Sequence, residues 1–437
     1  MSIFSRRFFR RHGKQLLALA IVVLIAAYFL LRPTKMGSIG ETVPENEDYL
    51  TASIVSSAVQ LIDLGRHDNL QHVERGKTWG TGNAAAYRRD AHAKGHGCVR
   101  ARFHVEENLS ADLKQGLFAG ALYESPKGVM GKQDYDAILR FSSGNARDQK
   151  DSSWDARGVA IKVLGLNAAT PKLLNPVDDP EQNTQDFLMI NSPQFFIENV
   201  TAYADFSRFL GQGSNVGWFF DGFSLHPSKW HLRDFMLAAK TLKPMPRSLL
   251  KTQFHSLSAY RYGPLAFVKY SLRPCGGAAW LNAWWSPDAN YLRHEMQDEL
   301  KSNDACFEFL VQKQVTDKYM PVEDPTVAWK ESDSPFQKVA TVRIPKQSFD
   351  TPADNAYCEN LSMTPWHGLP EHRPVGGMNR IRKPLYIAIS RYRHSSNGCK
   401  VDESPQAPDD FASLDVSERP ATYTCATDVV ATAKGSK

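Results

Sequence analysis

The chain has 437 residues, of which 42% are hydrophobic and 11% aromatic, and its net charge is +5 at pH 7. This composition is that of a globular protein with enough apolar residues for a large core, and it excludes a low-complexity chain. The first 35 residues hold seven basic and no acidic residues, so subtracting seven from +5 leaves −2 for the remainder. The basic balance therefore belongs to the N-terminal segment, and nothing indicates a nucleic-acid partner.

An apolar segment, LLALAIVVLIAAYFLL, occupies residues 16–31 between Lys14 and Arg32. It is slightly shorter than the roughly 20 residues of a typical membrane span, but the flanking basic side chains can reach the two interfaces. Five basic residues precede the segment and two closely follow it, which predicts a cytoplasmic N-terminus. We therefore expect a basic cytoplasmic region at 1–14 and a retained single-pass anchor at 15–31 in the inner (cytoplasmic) membrane, with the C-terminal domain in the periplasm or outside.

Two other interpretations of the N-terminus stay open. The stretch SRRFFR at 5–10 resembles a twin-arginine export signal, although Arg10 stands where an apolar residue is usual. The apolar segment could also be a buried helix of a soluble fold, which its terminal position and flanking charges oppose. The export route is not decided by these residues.

The rest of the chain divides into a linker, one domain and a tail. Residues 32–60 include PTKMGSIGETVPENEDY, whose Pro, Gly and acidic residues predict a linker. No long Pro, Gly or Ser run divides residues 61–398, which we interpret as one domain, and 399–437 form a polar tail. Strands are predicted at ILRFSSG, GVAIKVLG and VATVRIP, and helices at 229–243 and 290–303.

Three histidines and one cysteine fall within RRDAHAKGHGCVRARFHV at 88–105. The HxxxH spacing of His92 and His96 would place two imidazoles on one helix face, as in a zinc site. Gly95 and Gly97 oppose a helix, and the residues that follow alternate as a strand does. From the residues alone, a zinc site and a purely structural role both stay open.

Six cysteines in an exported chain allow up to three disulfides. None of them forms a CxxC pair, which disfavours a cysteine-based metal site. The one pairing we expect joins Cys399 to Cys425 in the tail, while Cys98 is either a core or a disulfide residue.

Four separated stretches, taken in order, resemble the core segments of haem catalases. They are RDAHAKGHG at 89–97, LRFSSGNARDQKDSSWDARGVAIKV at 139–163, QDFLMINSPQFFIENVTAYADF at 185–206 and RIRKPLYIAISRYR at 380–393. DPTVAWKESDSPFQKVATVRIP at 324–345 is similar to the strand before the family's linking loop. The resemblance implies an α+β fold, with an antiparallel β-barrel surrounded by helices and haem b between barrel and helices.

The resemblance assigns the distal side of the haem to three residues. His92 matches the histidine that relays a proton between the two oxygens of a peroxide, as a nearly neutral imidazole can. Ser142 matches the serine that hydrogen-bonds this imidazole, and Asn191 is the candidate amide that orients the peroxide. The family has two successive asparagines where this chain has Ile190 and Asn191, and the first is catalytic, so the residue at the amide position stays open.

On the proximal side, Tyr386 matches the tyrosinate that ligates ferric iron and pushes electron density onto it. A phenol has an ordinary pKa near 10, and an adjacent cation favours its charged form. Arg382 is that cation in the family pattern. Pro384 lies between the two residues and predicts a helix that begins near Lys383, after Arg382.

Further residues are implied to hold the haem. Phe195 and Phe196 resemble the aromatic pair of the distal channel, and Tyr203 stands where the family has a phenylalanine near the haem face. Guanidinium groups suit bidentate pairing with carboxylates, and three match those that hold the two haem propionates: Arg89, Arg140 and Arg393.

The resemblance implies a haem-dependent oxidoreductase that acts on peroxides, either as a catalase or as an organic-peroxide peroxidase. Two alternatives remain, namely rearrangement or cleavage of a fatty-acid hydroperoxide at the same haem, and a non-catalytic haem-binding protein. The expected partners are a small peroxide and, through the anchor, a membrane. A homo-oligomer is left open.

Overall fold

A computed structural model describes residues 35–36, 40–77, 79, 84–122, 124–125, 128–129, 133–167, 170–176, 183–214, 216–242, 246–279 and 286–399. The predicted anchor at 15–31 and the tail beyond residue 399, with Cys425 and its predicted disulfide, lie outside these ranges. Within them, no helix combines the length and the apolar character that a membrane span needs.

The centre of the fold is an antiparallel β-barrel. Its strands are β1 Gly95–Val105, β2 Asp134–Ser143, β3 Arg157–Val163, β4 Gln185–Ile190, β5 Phe254–His255, β6 Tyr260–Tyr262, β7 Ala266–Pro274, β8 Ala305–Lys313 and β9 Gln337–Ile344. Neighbouring strands follow the order β6-β7-β8-β9-β1-β2-β3-β4-β5. Pairing of β5 with β7 closes eight of these strands into a ring, and β6 extends β7 outside it.

Aromatic side chains fill the inside of the barrel. Phe187 of β4 lies 4.7 Å from Phe309 of β8 and 6.2 Å from Phe103 of β1, measured between ring centroids. All three side chains are buried. Because side chains alternate along a strand, their sequence neighbours point outward. The interior is a packed core, so a ligand site has to lie on the outer face of the barrel wall.

Six helices surround the barrel in the described ranges: α1 Glu47–Glu74, α2 Val200–Gly211, α3 Leu232–Leu242, α4 Tyr291–Ser302, α5 Pro352–Asn360 and α6 Gly377–Ser396. Three of them, α1, α2 and α6, form a layer with its own apolar core. Its buried members are Ile54, Ala58, Ile62, Val200, Ala204, Ile381, Leu385 and Ile389. The barrel with surrounding helices that the resemblance implies is therefore confirmed.

Most predicted elements agree with the structure. The strands predicted at ILRFSSG, GVAIKVLG and VATVRIP are β2, β3 and β9, and the two predicted helices are α3 and α4. Helix α1, however, occupies residues 47–60 of the predicted linker. It is helical because Ile54, Ala58, Leu61 and Ile62 form one buried face that packs on the domain.

The prediction that the last helix begins near Lys383 is wrong, because α6 begins at Gly377 and runs through Pro384. Proline removes one backbone hydrogen bond from a helix. Tertiary contacts of the preceding turn offset this loss, since Ile381 is buried against the helical layer. Arg380 is also held by three carboxylates, those of Glu41, Glu47 and Glu323.

Two disulfides join elements of the described chain. Cys98 of β1 is bonded to Cys358 of α5, and Cys275, which follows β7, is bonded to Cys306 of β8. The first bond fixes the end of α5 against the outer face of the barrel.

Candidate active site

A cavity of about 420 Å³ lies between the outer face of β2, β3 and β4 and the helices α2 and α6. Ten of the eleven predicted site residues line it: Arg89, His92, Arg140, Ser142, Phe195, Phe196, Tyr203, Arg382, Tyr386 and Arg393. They come from four separate parts of the chain, which the barrel and the helical layer bring together. The remaining residue, Asn191, is not among the described residues that line the cavity.

The backbone of His92 is held in an uncommon conformation. Its φ is 58°, in the left-handed region that few residues other than glycine adopt. Its N–H donates to the carbonyl of Gly144 at 3.0 Å, and its own carbonyl accepts from Nη2 of Arg140 at 2.9 Å. These two hydrogen bonds fix the direction in which the imidazole leaves the backbone.

The imidazole of His92 packs on β3 and beside β2. Nδ1 lies 3.0 Å from Oγ of Ser142. Because side chains alternate along β2, Ser142 lies on the outer face of the strand, and its neighbour Phe141 lies inside the barrel. A Cβ added at Gly158 would lie only 2.6 Å from the imidazole and 3.1 Å from that hydroxyl. Glycine is therefore required at residue 158 for the close approach of the ring.

Burial lowers the pKa of His92 to about 3, and the charges of Arg140, Arg382 and Arg89 lower it in the same direction. The imidazole is consequently neutral at physiological pH. A neutral imidazole has one donor and one acceptor nitrogen, and the hydrogen bond of one nitrogen decides what the other can do. His92 can thus accept a proton from a molecule in the cavity and return it.

Tyr386 and Arg382 lie one turn apart on α6. Nη2 of Arg382 donates to the phenol oxygen of Tyr386 at 3.1 Å, and Nη1 donates to Oδ1 of Asn379 at 3.1 Å. Burial lowers the pKa of Arg382, but Tyr386 and Tyr260 raise it by more. Arg382 is therefore a permanent cation within hydrogen-bond distance of the Tyr386 oxygen.

Three arginines converge on one acidic residue at the end of α5. Arg89 donates to the Glu359 carboxylate and to the Leu361 carbonyl, both at 2.8 Å. Arg393 donates to the carbonyls of Glu359 at 2.6 Å and Leu361 at 2.8 Å. Arg140 lies 3.8 Å from the same carboxylate. Three guanidinium groups thus lie together around the end of α5, and such groups suit a ligand that carries carboxylates.

Arg140 is the most strongly affected member of this arginine cluster, because it is buried among other positive charges. The pKa of Arg140 is lowered, first by burial and then by the positive charges of Arg89, Arg393 and Arg88. Its Nε is buried and has no hydrogen-bond partner within the described part of the chain. Buried donors of this kind are rare in proteins, so the cluster is built to receive additional acceptors.

Asn191 does not face the cavity. Leu188, Met189 and Ile190 of β4 all border the cavity, and Met189 also belongs to the barrel core. The N–H of Asn191 donates to the carbonyl of Arg157 at 2.9 Å, and its Oδ1 accepts from the N–H of Arg157 at 2.7 Å. Of the two residues between which the sequence left the amide position open, Ile190 therefore borders the cavity and Asn191 contacts the backbone of β3.

Aromatic rings form another wall of the cavity. The rings of Phe195 and Phe196 are 4.6 Å apart, and Tyr203 lies 6.2 Å from Phe195. Burial, followed by the charge of Asp90, raises the pKa of Tyr203, so its phenol stays protonated. This wall is apolar apart from that one hydroxyl.

Three residues of the site were missed by sequence reasoning. Asp90 lines the cavity, and burial raises its pKa to about 7 against the lowering effect of two backbone N–H groups and Arg89. Its position inside the matched stretch 89–97 was a signal that could have identified it. Gly158 also lay in a matched stretch, but Glu359 is 270 residues from Arg89 and no local pattern marks it.

The other two histidines of the 88–105 stretch lie apart from the cavity. Nε2 of His96, within β1, lies 2.9 Å from Oγ of Ser143, and Nδ1 of His104 lies 2.9 Å from a carboxylate oxygen of Asp134. Because His96 is in a strand, the HxxxH spacing does not form a helical zinc pair. No group of three His, Cys, Asp or Glu side chains suited to a metal ion occurs in the described ranges.

No protein-family model and no curated protein matches this chain. A bacterial catalase structure is similar to it, with a TM-score of 0.51 and 16% identity, covering 74% of this chain and 59% of the catalase. Catalase A from Saccharomyces cerevisiae is similar with a TM-score of 0.52 and 17% identity, covering 83% of this chain and 68% of that one. The chain thus spans about three fifths of the bacterial catalase's length. At these identities, the similarity shows that the chain has the catalase fold.

Proposed function

We propose that this protein is a haem-dependent oxidoreductase that breaks down peroxides. The observation that carries the proposal is that the Arg382–Tyr386 pair and the His92–Ser142 pair line one cavity. The first pair suits a tyrosinate ligand to ferric iron, and the second suits acid–base work on a bound peroxide.

The residues of the cavity fit haem b. Tyr386 would supply the phenolate to iron. The arginine cluster would hold the two propionates, because the guanidinium groups of Arg89, Arg140 and Arg393 lie together at the cavity and suit bidentate pairing with carboxylates. The unpartnered Nε of Arg140 would gain an acceptor in the same step.

In the catalase reaction, two molecules of hydrogen peroxide give one molecule of oxygen and two of water. When bound, haem would supply the redox chemistry that cleaves the O–O bond. His92, which is neutral, takes the proton from one peroxide oxygen and returns it to the other, so that water can leave. Ser142 holds the imidazole in the required tautomer, and Arg382 orients the Tyr386 oxygen through its hydrogen bond.

Oxygen release from hydrogen peroxide tests this proposal. The haem-loaded full-length protein should evolve oxygen, and His92→Gln should lose at least a hundredfold of this rate, about the share of a positioned acid–base group. His104→Gln is the matched control, because this partly exposed histidine lies outside the cavity, and it should retain the rate. Loss of activity in both variants, or in neither, would refute the role of His92.

A second candidate substrate is an organic hydroperoxide. Ile190 faces the cavity, and the neighbouring wall is formed by Phe195 and Phe196. An apolar pocket binds an alkyl or acyl chain better than it orients hydrogen peroxide. A higher kcat/KM for a fatty-acid hydroperoxide than for hydrogen peroxide would support this candidate, and product analysis would separate reduction of the hydroperoxide from its rearrangement.

We also propose that residues 15–31 anchor the domain on the exported side of the cytoplasmic membrane. The disulfides Cys98–Cys358 and Cys275–Cys306 support an exported location, because disulfides persist outside the reducing cytosol. Digestion of spheroplasts with a protease should remove the domain, whereas its survival until the cells are lysed would contradict the proposed orientation.

A further inference from the structure

Helix α3 and the loop before it expose large apolar side chains. Met236 is 67% exposed and Leu225 93% exposed, and they belong to a set of five that we call the α3 surface: Phe223, Leu225, Leu232, Phe235 and Met236. Single exposed apolar residues are ordinary on a soluble protein, but a contiguous group marks an interaction site.

The members of the α3 surface are contiguous. Leu232, Phe235 and Met236 have the i, i+3, i+4 spacing that places side chains on one helix face. The ring of Phe220 connects this face to the loop, since it lies 5.4 Å from Phe235 and 6.2 Å from Phe223. The helix and the loop therefore present one apolar face.

Basic and amphipathic side chains border the α3 surface. Lys229 and Lys240 are exposed, and in the sequence they lie before and after the members of the surface that belong to α3. Trp230 packs its ring 5.4 Å from Phe220, and its Nε1 donates to the Ser224 carbonyl at 2.9 Å. An apolar helix face bordered by lysines and a tryptophan is typical of elements that lie in the interface of an anionic bilayer.

Thr42, which follows the apolar N-terminal segment in the sequence, lies near α3. Arg233 of α3 donates to Oγ1 of Thr326 at 2.9 Å, and Glu323 accepts from the N–H of Thr42 at 2.9 Å. The Cα atoms of Glu323 and Thr326 are at most about 11 Å apart, because consecutive Cα atoms are separated by 3.8 Å. A bilayer that holds residues 16–31 would therefore be within reach of the α3 surface.

The α3 surface is also continuous with the cavity. Thr241 and Leu242, at the end of α3, line the cavity, and so does Phe196. The ring of Phe219 lies 6.1 Å from Phe196 and 5.6 Å from Phe235. A path of aromatic contacts thus connects the exposed face to the candidate active site.

We propose that the α3 surface rests in the headgroup layer of a phospholipid bilayer with anionic lipids. Its apolar side chains are buried among the lipids, and Lys229 and Lys240 contact the headgroups. In this orientation the aromatic contacts lie between the cavity and the bilayer. The lipid contact follows from exposed side chains and bordering charges, and it rests on the anchor proposed at 15–31 but not on the peroxide chemistry.

The test uses the full-length protein in vesicles of phosphatidylcholine and phosphatidylglycerol. A nitrobenzoxadiazole fluorophore is attached at Met236→Cys and, in a second variant, at Leu225→Cys. Leu265→Cys is the matched control, because Leu265 is 87% exposed in the turn between β6 and β7, outside the α3 surface. Wild-type protein treated with the same reagent provides the background.

We expect the emission at residues 225 and 236 to shift to shorter wavelength. Brominated lipids should quench it at least threefold more strongly than the emission at residue 265. Replacing both lysines by glutamate, in K229E/K240E, should reduce the quenching in anionic vesicles. Water-like emission at both sites would overturn the proposal. A blue shift that brominated lipids do not quench would overturn it too, because a second copy of the chain would then cover the surface.

Discussion

Arg382 donates a hydrogen bond to the phenol oxygen of Tyr386 across 3.1 Å, one helical turn away on α6, although Pro384 lies between them. The pair depends on the continuity of the helix through the proline, and that continuity depends on contacts of the preceding turn. A permanent cation is thereby placed beside the Tyr386 phenol, which lines the cavity.

Replacing Arg382 by Gln should weaken the binding of haem through Tyr386, because the variant lacks the guanidinium that donates to the phenol oxygen. A hydrogen bond to a charged group contributes about 1.5–3 kcal/mol, so haem should leave the variant about tenfold faster or more. The rate of haem transfer to apomyoglobin measures this change. Arg380→Gln, on the same helix but bound to carboxylates outside the cavity, should leave the rate unchanged. Equal rates in all three proteins would show that Arg382 does not support the ligand.

The Gly158→Ala substitution should displace the His92 imidazole, because the added Cβ would lie 2.6 Å from the ring. We expect peroxide turnover to fall about a hundredfold or more, as expected for a misplaced acid–base group, while haem stays bound. Steady-state kinetics and the haem absorption of the purified variant measure the two effects. Gly276→Ala is the control, since no heavy atom lies within 4 Å of its Cβ position. Unchanged turnover in Gly158→Ala would contradict the tight packing of His92.

Ile190 and Asn191 should respond in opposite ways to substitution. Ile190→Asn places an amide in the cavity, where it can hydrogen-bond a small peroxide, and we expect kcat/KM for hydrogen peroxide to rise relative to an organic hydroperoxide. Asn191→Ala removes the side-chain contact to the Arg157 backbone. The ratio of kcat/KM for hydrogen peroxide to kcat/KM for the organic hydroperoxide should therefore stay within about twofold of the wild-type ratio, a change of under 0.5 kcal/mol. The reverse pattern would mean that the amide of Asn191 contacts the substrate.

Loss of the Cys98–Cys358 disulfide should loosen the arginine cluster. Cys358 of this bond is the residue immediately before Glu359. The carboxylate of Glu359 accepts from Arg89, and its carbonyl accepts from Arg393. Removing it with Cys98→Ser and Cys358→Ser should cost about 3–5 kcal/mol of unfolding free energy and speed the transfer of haem to apomyoglobin several-fold.

The matched control for this experiment is the removal of the Cys275–Cys306 disulfide, which joins β7 to β8 and closes a much shorter segment. This second variant should lose stability without faster transfer of haem. Equal rates of haem transfer in the two disulfide variants would show that the Cys98–Cys358 bond does not help to retain haem.

The activity should not fall as the pH drops through 6.5, the ordinary pKa of histidine. Burial and three arginines lower the pKa of His92 to about 3, so the imidazole stays neutral from pH 8 to pH 5. The lowered pKa also stabilises the fold above pH 6.5, and this contribution declines as the pH falls toward 3. A pH profile of kcat/KM tests the prediction.

Asp90 also titrates in this cavity, with a pKa raised to about 7 by burial. Its contribution is removed by Asp90→Asn, so any change in rate near pH 7 should disappear in this variant. If kcat/KM of Asp90→Asn still falls as the pH drops through 6.5, this result would contradict a buried, neutral His92.

The sequence could identify the parts of this fold that short patterns carry. Strand alternation predicted β2 and β3, and the matched stretches contain all the predicted site residues, of which all but Asn191 line the cavity. What it could not decide depends on long-range packing. The continuity of α6 through Pro384 requires the carboxylates that hold Arg380. The direction of Asn191 requires the register of β4 against β3, and the role of Glu359 requires contacts across 270 residues.

Binding of haem through Tyr386 can be measured by the absorption spectrum of the purified full-length protein, expressed with adequate haem and iron. We predict a ferric haem spectrum of the tyrosinate type, which Tyr386→Phe removes or strongly alters. A spectrum unchanged by Tyr386→Phe, or no haem absorption at all in the wild-type protein, would contradict the account.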